Sequence, residues 1–188
     1  MDDTNDQQPD FQCLFAATTG QQGYFTTTQA RACGFRGNLL NHHVRAGRFQ
    51  RVYRGVYRLR DYPSSPREEV MAAWLAVGKE RGVVSHESAL DLLDLSDVIP
   101  DEIHLTVPRS TRHPPALPGV RIHTTTRDLQ PGDTVVRDGI TLTSPARTIV
   151  DAADAGTAPE QIEMAVRQAI ARGLAIRSDL ELRAGDRS

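Results

Sequence analysis

The chain has 188 residues, of which 39% are hydrophobic and 24% charged, and its formal net charge is −2. This length fits one domain or two small ones, and the composition is typical of a globular protein rather than a disordered one. The acidic, polar N-terminus is unlike a signal peptide, and no apolar run approaches the roughly 20 residues that cross a bilayer. We therefore expect a cytoplasmic protein with no membrane partner.

The cysteine content points to the same compartment. Cys13 and Cys33 are the only cysteines in the chain. Two cysteines are too few for a disulfide framework or for a metal site of four thiolates. We therefore expect reduced thiols and a reducing environment.

The charges are distributed unevenly along the chain. Between Phe11 and Arg60 there are eight arginines, no lysine and no acidic residue, whereas the rest of the chain carries all 24 acidic residues and 14 basic ones. A basic block joined to an acidic remainder is the electrostatic pattern of a nucleic-acid-binding protein, because each neutralised phosphate releases counterions. The contrast also favours two domains, at residues 11–61 and 66–188.

The basic block carries the signals of a helix-turn-helix. Residues 1–10 are predicted to be a disordered lead, and residues 11–21 to form the first helix. Thr26-Thr27-Thr28 offers N-caps for a short second helix, which Gly34 ends. A third helix follows after a turn of three or four residues and stops at Gly47. Two helices joined by so short a turn are typical of DNA-binding helix-turn-helix motifs.

The third helix has two different sides. At about 100° per residue, its apolar side chains and His43 gather on one side, where we expect them to pack. The opposite side has no acidic residue and consists of Asn38, Asn41, His42 and Arg45. Asparagine suits adenine and arginine suits guanine in the major groove, so this side predicts base recognition. The alternative is an ordinary solvated helix face, which would normally include Glu and Lys.

A basic hairpin follows the third helix. Residues 49–60 alternate in polarity and are broken by Arg54-Gly55, which predicts two strands with a tight turn. A hairpin in this place is a wing, whose arginines hold phosphates or enter a minor groove. The alternative is a hairpin that only buries its apolar side chains. The predicted DNA-binding residues are Arg36, Asn38, Asn41, His42, Arg45, Arg48, Arg51, Arg54 and Arg58.

The acidic remainder predicts a second domain with both helices and strands. The linker signal YPSSP precedes it, and Asp138-Gly139 is the strongest hairpin signal in the chain. Helices are predicted at residues 66–78, 86–93, 145–153 and 159–173, with strands at 103–107 and 120–124 and a two-stranded hairpin at 134–143. The fold class is therefore α+β: an N-terminal winged helix-turn-helix, then a mixed α+β domain with an antiparallel sheet of four strands.

The histidines of the second domain do not form a known metal motif. His86-Glu87 begins the zinc-protease pattern H-E-x-x-H, but Leu90 replaces the second histidine. His104 and His123 lie on the polar faces of predicted strands and could pair across the sheet as metal ligands, but neither a cysteine nor a third histidine accompanies them. We therefore expect solvated strand histidines, no metal site and no cofactor.

No catalytic motif is complete either. A nuclease of the carboxylate–lysine type needs an acid pair followed by a lysine, and the only lysine, Lys79, lies far from any suitable strand pair. The chain has no glycine-rich phosphate loop and no nucleophile elbow. Arg147 and Asp151 are one helical turn apart, which predicts a surface ion pair. We assign no catalytic residue and expect no enzymatic activity.

Five segments, in a fixed order, resemble a known family. They are FTTTQARACGF, AGRFQRVYRGVYRL, VVSHESALDLLDLSDVIPDEIHLTVP, GVRIHTTT and TLTSPARTIVDAA. Over residues 24–174 the chain is similar to the AbiEi family of antitoxins in its actinobacterial form. Each segment is a weak signal by itself, and their combination in this order is specific.

The resemblance implies both a fold and a function. The N-terminal winged helix-turn-helix would repress the protein's own toxin–antitoxin operon by binding repeats in the promoter, with the DNA-reading role at residues 36–45 and 51–58. The C-terminal domain would counter a partner nucleotidyltransferase toxin, in what is called a type IV system. Ser85-His86, Arg147 and Asp151 match recurrent positions of the C-terminal motifs, where we expect a structural role.

Two other functions are compatible with the sequence. The first is a nucleic-acid-acting enzyme with a site around His86, Arg147 and Asp151, whose metal-dependent activity Asp151→Asn would abolish. The second is a protein-interaction module whose basic half binds an acidic partner. Such a module would have no affinity for DNA at physiological salt.

Overall fold

The computed structural model describes residues 8–111, 113–125 and 129–180. The chain divides into two compact units, Met1–Ala76 and Val77–Ser188. Residues 1–7 of the predicted lead lie outside the described residues. Within the described part of the chain, no helix is both long enough and apolar enough to cross a membrane.

The N-terminal unit is a winged helix-turn-helix, as the sequence predicts. The turn of residues 33–36 joins the two helices of the motif, and the strands form an antiparallel sheet in the order β1-β3-β2. The elements are α1 (Phe11–Thr19), β1 (Tyr24–Thr26), α2 (Thr27–Ala32), α3 (Gly37–Arg45), β2 (Phe49–Tyr53), β3 (Val56–Leu59) and α4 (Glu68–Val77).

Local signals in the sequence set the ends of the helices. Thr26 caps α2 through a capping box. The Thr26 hydroxyl accepts a hydrogen bond from the backbone N–H of Gln29 at 3.2 Å, and the Gln29 side-chain oxygen accepts one from the backbone N–H of Thr26 at 2.9 Å. Gly47 has a φ of +72°, a conformation that suits a residue without a Cβ, and follows α3. Asp10, predicted to lie in the lead, caps α1 by accepting from the amides of Gln12 and Cys13 at 2.8 and 3.0 Å.

The wing has a third strand that the sequence does not predict. The β2–β3 hairpin turns at Arg54-Gly55, where Gly55 has a φ of +79°, as expected. β1 pairs with the other edge of β3, and Tyr24 lies opposite Arg58. β3 is therefore the central strand of the sheet, and its residues Val56 and Tyr57 are both buried.

Aromatic side chains fill the core of this unit. Phe25, Phe35 and Phe49 are at most 2% exposed, and the ring centroids of Phe25 and Phe49 lie 5.1 Å apart. His43 is 4% exposed, and its ring centroid lies 4.9 Å from that of Phe49. The prediction that His43 packs inward is confirmed.

Cys13 and Cys33 form a disulfide, so the expectation of reduced thiols is wrong. Cys13 lies on α1 and Cys33 follows α2, and their Cα atoms are 5.6 Å apart. Packing of α1 against α2 brings them together across a sequence separation of 20, which a count of cysteines cannot show. The cysteine content therefore no longer indicates a reducing compartment.

The C-terminal unit is a five-stranded sheet packed with helices. α5 contacts β5 and α6, and α7 packs on α6. The strand order is β6-β5-β4-β8-β7. The elements are β4 (Val83–Val84), α5 (His86–Leu92), β5 (Ile103–Pro108), β6 (Val120–Thr125), β7 (Thr134–Arg137), β8 (Ile140–Thr143), α6 (Pro145–Asp154) and α7 (Pro159–Ala171).

This sheet is mixed rather than antiparallel, and it has five strands rather than four. The pairs β5–β6 and β4–β8 are parallel, whereas β4–β5 and β7–β8 are antiparallel. Alternating polarity shows which side of a strand is buried but not its direction, so the parallel pairs could not be predicted. The hairpin at Asp138-Gly139 is confirmed, with φ angles of 51° and 79° at its two turn residues.

Candidate nucleic-acid interface

One side of α3 is buried and the opposite side is exposed, as the sequence predicts. Leu40 and His43 are buried, while Leu39 and Val44 pack partly buried against the same core. The four polar side chains of the opposite side are all exposed: Asn38, Asn41, His42 and Arg45. The helix therefore presents donors and acceptors to solvent, and it has no acidic side chain that would repel a phosphate.

Exposed arginines precede and follow α3 in the sequence. Arg36 directly precedes α3, Arg48 lies between α3 and β2, Arg51 is on β2 and Arg54 is at the hairpin turn, and all four are exposed. Arg31 and Arg60, which the predicted interface omits, are exposed as well. Every residue from 11 to 60 is described, and seven of the eight arginines in this segment are exposed.

The hairpin contains an irregularity just after Arg51. The register between β2 and β3 shifts between Arg51 and Tyr53, which is the mark of a β-bulge. Gln50 and Arg51 lie before this shift, in regular register with Arg58 and Tyr57, and both are exposed. β2 is an edge strand of the sheet, and both side chains are accessible to solvent.

Arg58 departs from the predicted interface. Its side chain is only 9% exposed, and its Nη2 atom donates to the Glu68 carboxylate at 2.9 Å. The same atom donates to the Tyr62 carbonyl at 3.0 Å, and the guanidinium carbon lies 5.6 Å from the centre of the Tyr24 ring. The strand β1 contributes to this burial because its Tyr24 lies opposite Arg58 and places its ring beside the guanidinium. Arg58 therefore holds the segment after the wing in place and is mostly buried.

The residues of the alternative enzyme site, His86, Arg147 and Asp151, each contact a nearby polar side chain. Arg147 Nε donates to both carboxylate oxygens of Asp151, at 2.7 and 2.9 Å. The predicted ion pair is thus confirmed, although it is partly buried rather than on the surface, with side-chain exposures of 23% and 13%. Ser85 precedes α5 but makes no capping hydrogen bond, and its hydroxyl lies 2.8 Å from His86 Nδ1.

His86 joins His104 and His123 in one cluster. The sequence predicts no third histidine that accompanies His104 and His123, but His86 does so in the structure. The spacing of the three histidines along the chain does not indicate that they lie close together in space. Burial is the main cause that lowers the pKa of His86 to about 3, and the neighbouring His123 is the second cause. Burial likewise lowers the pKa of His123 to about 4, with His104 as the second cause. Burial also lowers the pKa of His104. The three imidazoles are therefore uncharged at neutral pH.

Comparison with known families bears on the N-terminal unit. Residues 17–60 match the family described as "Transcriptional regulator, AbiEi antitoxin". The matched segment runs from the end of α1 through the helix-turn-helix and the hairpin, so it contains every residue of the candidate interface. It confirms the AbiEi resemblance over these residues and supports a DNA-binding antitoxin. No curated protein matches the chain.

Proposed function

We propose that the protein is an antitoxin that represses its own toxin–antitoxin operon by binding double-stranded DNA through α3 and the basic hairpin. The observation that carries this proposal is the exposed, acid-free face of α3 beside exposed arginines in a winged helix-turn-helix. The AbiEi match over residues 17–60 supports it independently. A repressor of its own operon acts where the chromosome is, so we place the protein in the cytoplasm.

The candidate residues divide into two kinds of contact. Asn41 and Arg45 are four residues apart on the exposed side of α3, so they lie one above the other and can read neighbouring base edges. Arg48, Arg51 and Arg54 lie outside the helix and are suited to phosphates, which fix orientation and carry no sequence information. We expect the operator to contain repeats, as the resemblance implies.

The C-terminal unit is proposed to counter a nucleotidyltransferase toxin. The support is the resemblance of its motifs around Ser85-His86 and Arg147 to those of the AbiEi family. Catalysis is not part of the proposed function, because Arg147 and Asp151 bind each other and the family match is to a transcriptional regulator.

DNA binding is tested by fluorescence anisotropy with the full chain. We expect tight binding to DNA from upstream of the protein's own gene, weaker binding to scrambled DNA of equal length, and a steep loss of affinity with salt. Asn41→Ala and Arg45→Ala should each weaken operator binding by about 1–3 kcal/mol and affect scrambled DNA less. An equal loss on both DNAs would leave these residues with phosphate contacts only and refute base reading.

Antitoxin activity is tested separately from DNA binding. The full chain and its Arg45→Ala variant are expressed together with the product of the adjacent gene. If the two functions belong to different units, both versions should relieve growth arrest, and only the wild type should repress a reporter placed behind the promoter. Continued growth arrest with the wild type would refute the antitoxin role and leave the repressor role standing.

A further inference from the structure

Three imidazole rings meet inside the C-terminal unit. His86 and His104 are buried and His123 is partly buried. One ring nitrogen of each can be chosen so that all three lie within 4.8 Å of one another. The rings of His86 and His123 are stacked with centroids 3.6 Å apart, and His123 Nε2 lies 3.1 Å from His104 Nδ1.

Three different elements supply these rings. His104 and Thr106 are two residues apart on β5, so their side chains share one face of the sheet. The parallel register places Thr106 opposite His123 on β6, which adds His123 to that face. His86 begins α5 with a φ of 52°, in the left-handed region that non-glycine residues seldom adopt. Such conformations persist where the surroundings hold them and are concentrated at functional sites.

The spacing of the ring nitrogens suits a tetrahedral metal ion. Zinc–imidazole bonds of about 2.0–2.1 Å at the tetrahedral angle separate two ligand nitrogens by about 3.4 Å. The 3.1 Å between His123 Nε2 and His104 Nδ1 is close to that value. Small rotations of the third ring would bring its nitrogen from within 4.8 Å to the same separation. Neutral imidazole is also the protonation state that binds zinc, copper, nickel and iron.

Outer contacts fix the orientation of His86. Its Nδ1 atom lies 2.8 Å from the Ser85 hydroxyl oxygen, which also accepts a hydrogen bond from the Thr106 hydroxyl at 2.8 Å. If His86 donates from Nδ1, its Nε2 lone pair is directed away from Ser85 and is available to a metal. Histidine ligands commonly donate their second ring N–H in this way, which sets the tautomer and the ring plane.

Charges of both signs lie near the cluster. Arg121 and Arg147 both act on His86 electrostatically, but each is paired with a carboxylate. Arg121 lies 3.0 Å from Glu102, and Arg147 lies 2.7 Å from Asp151. Glu87 adds a further negative charge that acts on His104. The carboxylates thus offset part of the positive charge that a bound cation would meet.

We propose that His86, His104 and His123 bind a divalent transition-metal ion, with zinc as the first choice. Three protein ligands leave one coordination position for water, which is the arrangement of an open zinc site. The ion would join the start of α5 to β5 and β6. The site lies in the C-terminal unit and involves none of the residues assigned to DNA, so it stands or falls independently of the proposed function.

The test is zinc binding to the full chain, made without a histidine tag and stripped with a chelator. Isothermal titration with zinc should give one site per chain, and cobalt should give the visible absorption of a four-coordinate ion. His104→Gln and His123→Gln should weaken zinc binding by more than about 100-fold, since even loss of an outer partner costs roughly 10–100-fold. His113 is exposed and outside the cluster, so His113→Gln is the matched control and should bind as the wild type does.

The outcomes separate a metal site from a packed histidine cluster. No saturable binding of zinc or cobalt to the wild type in the micromolar range would overturn the proposal. Equal binding by the wild type, His104→Gln and His123→Gln would overturn it too, because the ion would then lie elsewhere. Circular dichroism shows whether each variant is folded, and the cobalt spectrum of the wild type decides the matter if a variant is not.

Discussion

Arg58 and Arg54 are four residues apart in the same hairpin, and the structure gives them opposite roles. Arg54 is exposed at the turn, whereas Arg58 lies on the central strand β3, is buried and forms an ion pair with Glu68 of α4. We expect Arg58→Ala to lower the stability of the N-terminal unit with no direct effect on DNA contacts. Arg54→Ala should do the reverse.

The size of the effect follows from the contacts of Arg58. Removing one partner of a buried ion pair typically costs about 3–5 kcal/mol, because the other charge is left without compensation. Glu68 is 22% exposed and keeps a hydrogen bond from the Ser65 amide at 3.1 Å, so we take the lower end, about 3 kcal/mol. For a domain of this size, each kcal/mol lowers Tm by about 4–8 °C, which gives a fall of roughly 12–24 °C. Arg54→Ala should change stability by less than about 0.5 kcal/mol.

One residue provides the assay for stability. Trp74 is the only tryptophan of the chain, lies on α4 and is 3% exposed, so its fluorescence follows unfolding of the N-terminal unit. DNA affinity is measured by anisotropy over a salt series, in conditions where each variant is folded. Losing one phosphate contact should reduce the slope of log K against log salt by about 0.9 for Arg54→Ala.

Glu68→Gln is the second perturbation of the same pair. It should destabilise the unit in the same direction as Arg58→Ala and leave DNA binding unchanged, because Glu68 accepts hydrogen bonds from Arg58 and from the backbone of Ser65 and is not among the candidate DNA contacts. The reasoning is refuted if Arg58→Ala leaves the Trp74 transition in place and reduces the salt slope as Arg54→Ala does. Arg58 would then contact a phosphate and not Glu68.

Three further predictions concern other contacts. The disulfide closes a loop of about 20 residues, so Cys13→Ser together with Cys33→Ser should cost about 3 kcal/mol in urea unfolding followed by Trp74 fluorescence; an unchanged midpoint would refute this. Burial and the nearby Arg48 hold the pKa of His43 below 6.5, so folding favours its neutral form. Its stabilising contribution should be present above about pH 6.5 and be lost as the pH falls below it, and unfolding followed by Trp74 fluorescence should show a smaller loss in His43→Leu than in the wild type. Ser85→Ala removes the acceptor beside His86 Nδ1 and should weaken zinc binding by about 10–100-fold, which titration measures; equal affinity would show that Ser85 does not orient the ring.

Sequence patterns predicted the features that local chemistry determines. The threonine N-cap of α2, the stop at Gly47 and the hairpin at Asp138-Gly139 each depend on residues within a few positions of one another, and all are present. The exposed side of α3 was predictable for the same reason, since helical period alone sorts its side chains.

The missed features depend on pairing between distant segments. Arg58 is buried because Tyr24, on β1 more than 30 residues earlier, and Glu68, on α4, both pack beside its guanidinium. His86 meets His123 because β6 runs parallel to β5, which no alternation of polarity can reveal. The disulfide likewise follows from the packing of α1 on α2.

The strand order of the wing also bears on self-association. With β3 in the centre, the two outer strands β1 and β2 carry the unpaired edges of the sheet, and such edges can recruit a strand from another molecule. β1 is only three residues long, and β2 carries Arg51 next to a bulge. Short strands, charge and bulges are the means by which proteins discourage edge-to-edge pairing. The arginine that we propose for DNA contact is therefore also one of the features that disfavour edge-to-edge pairing of this sheet.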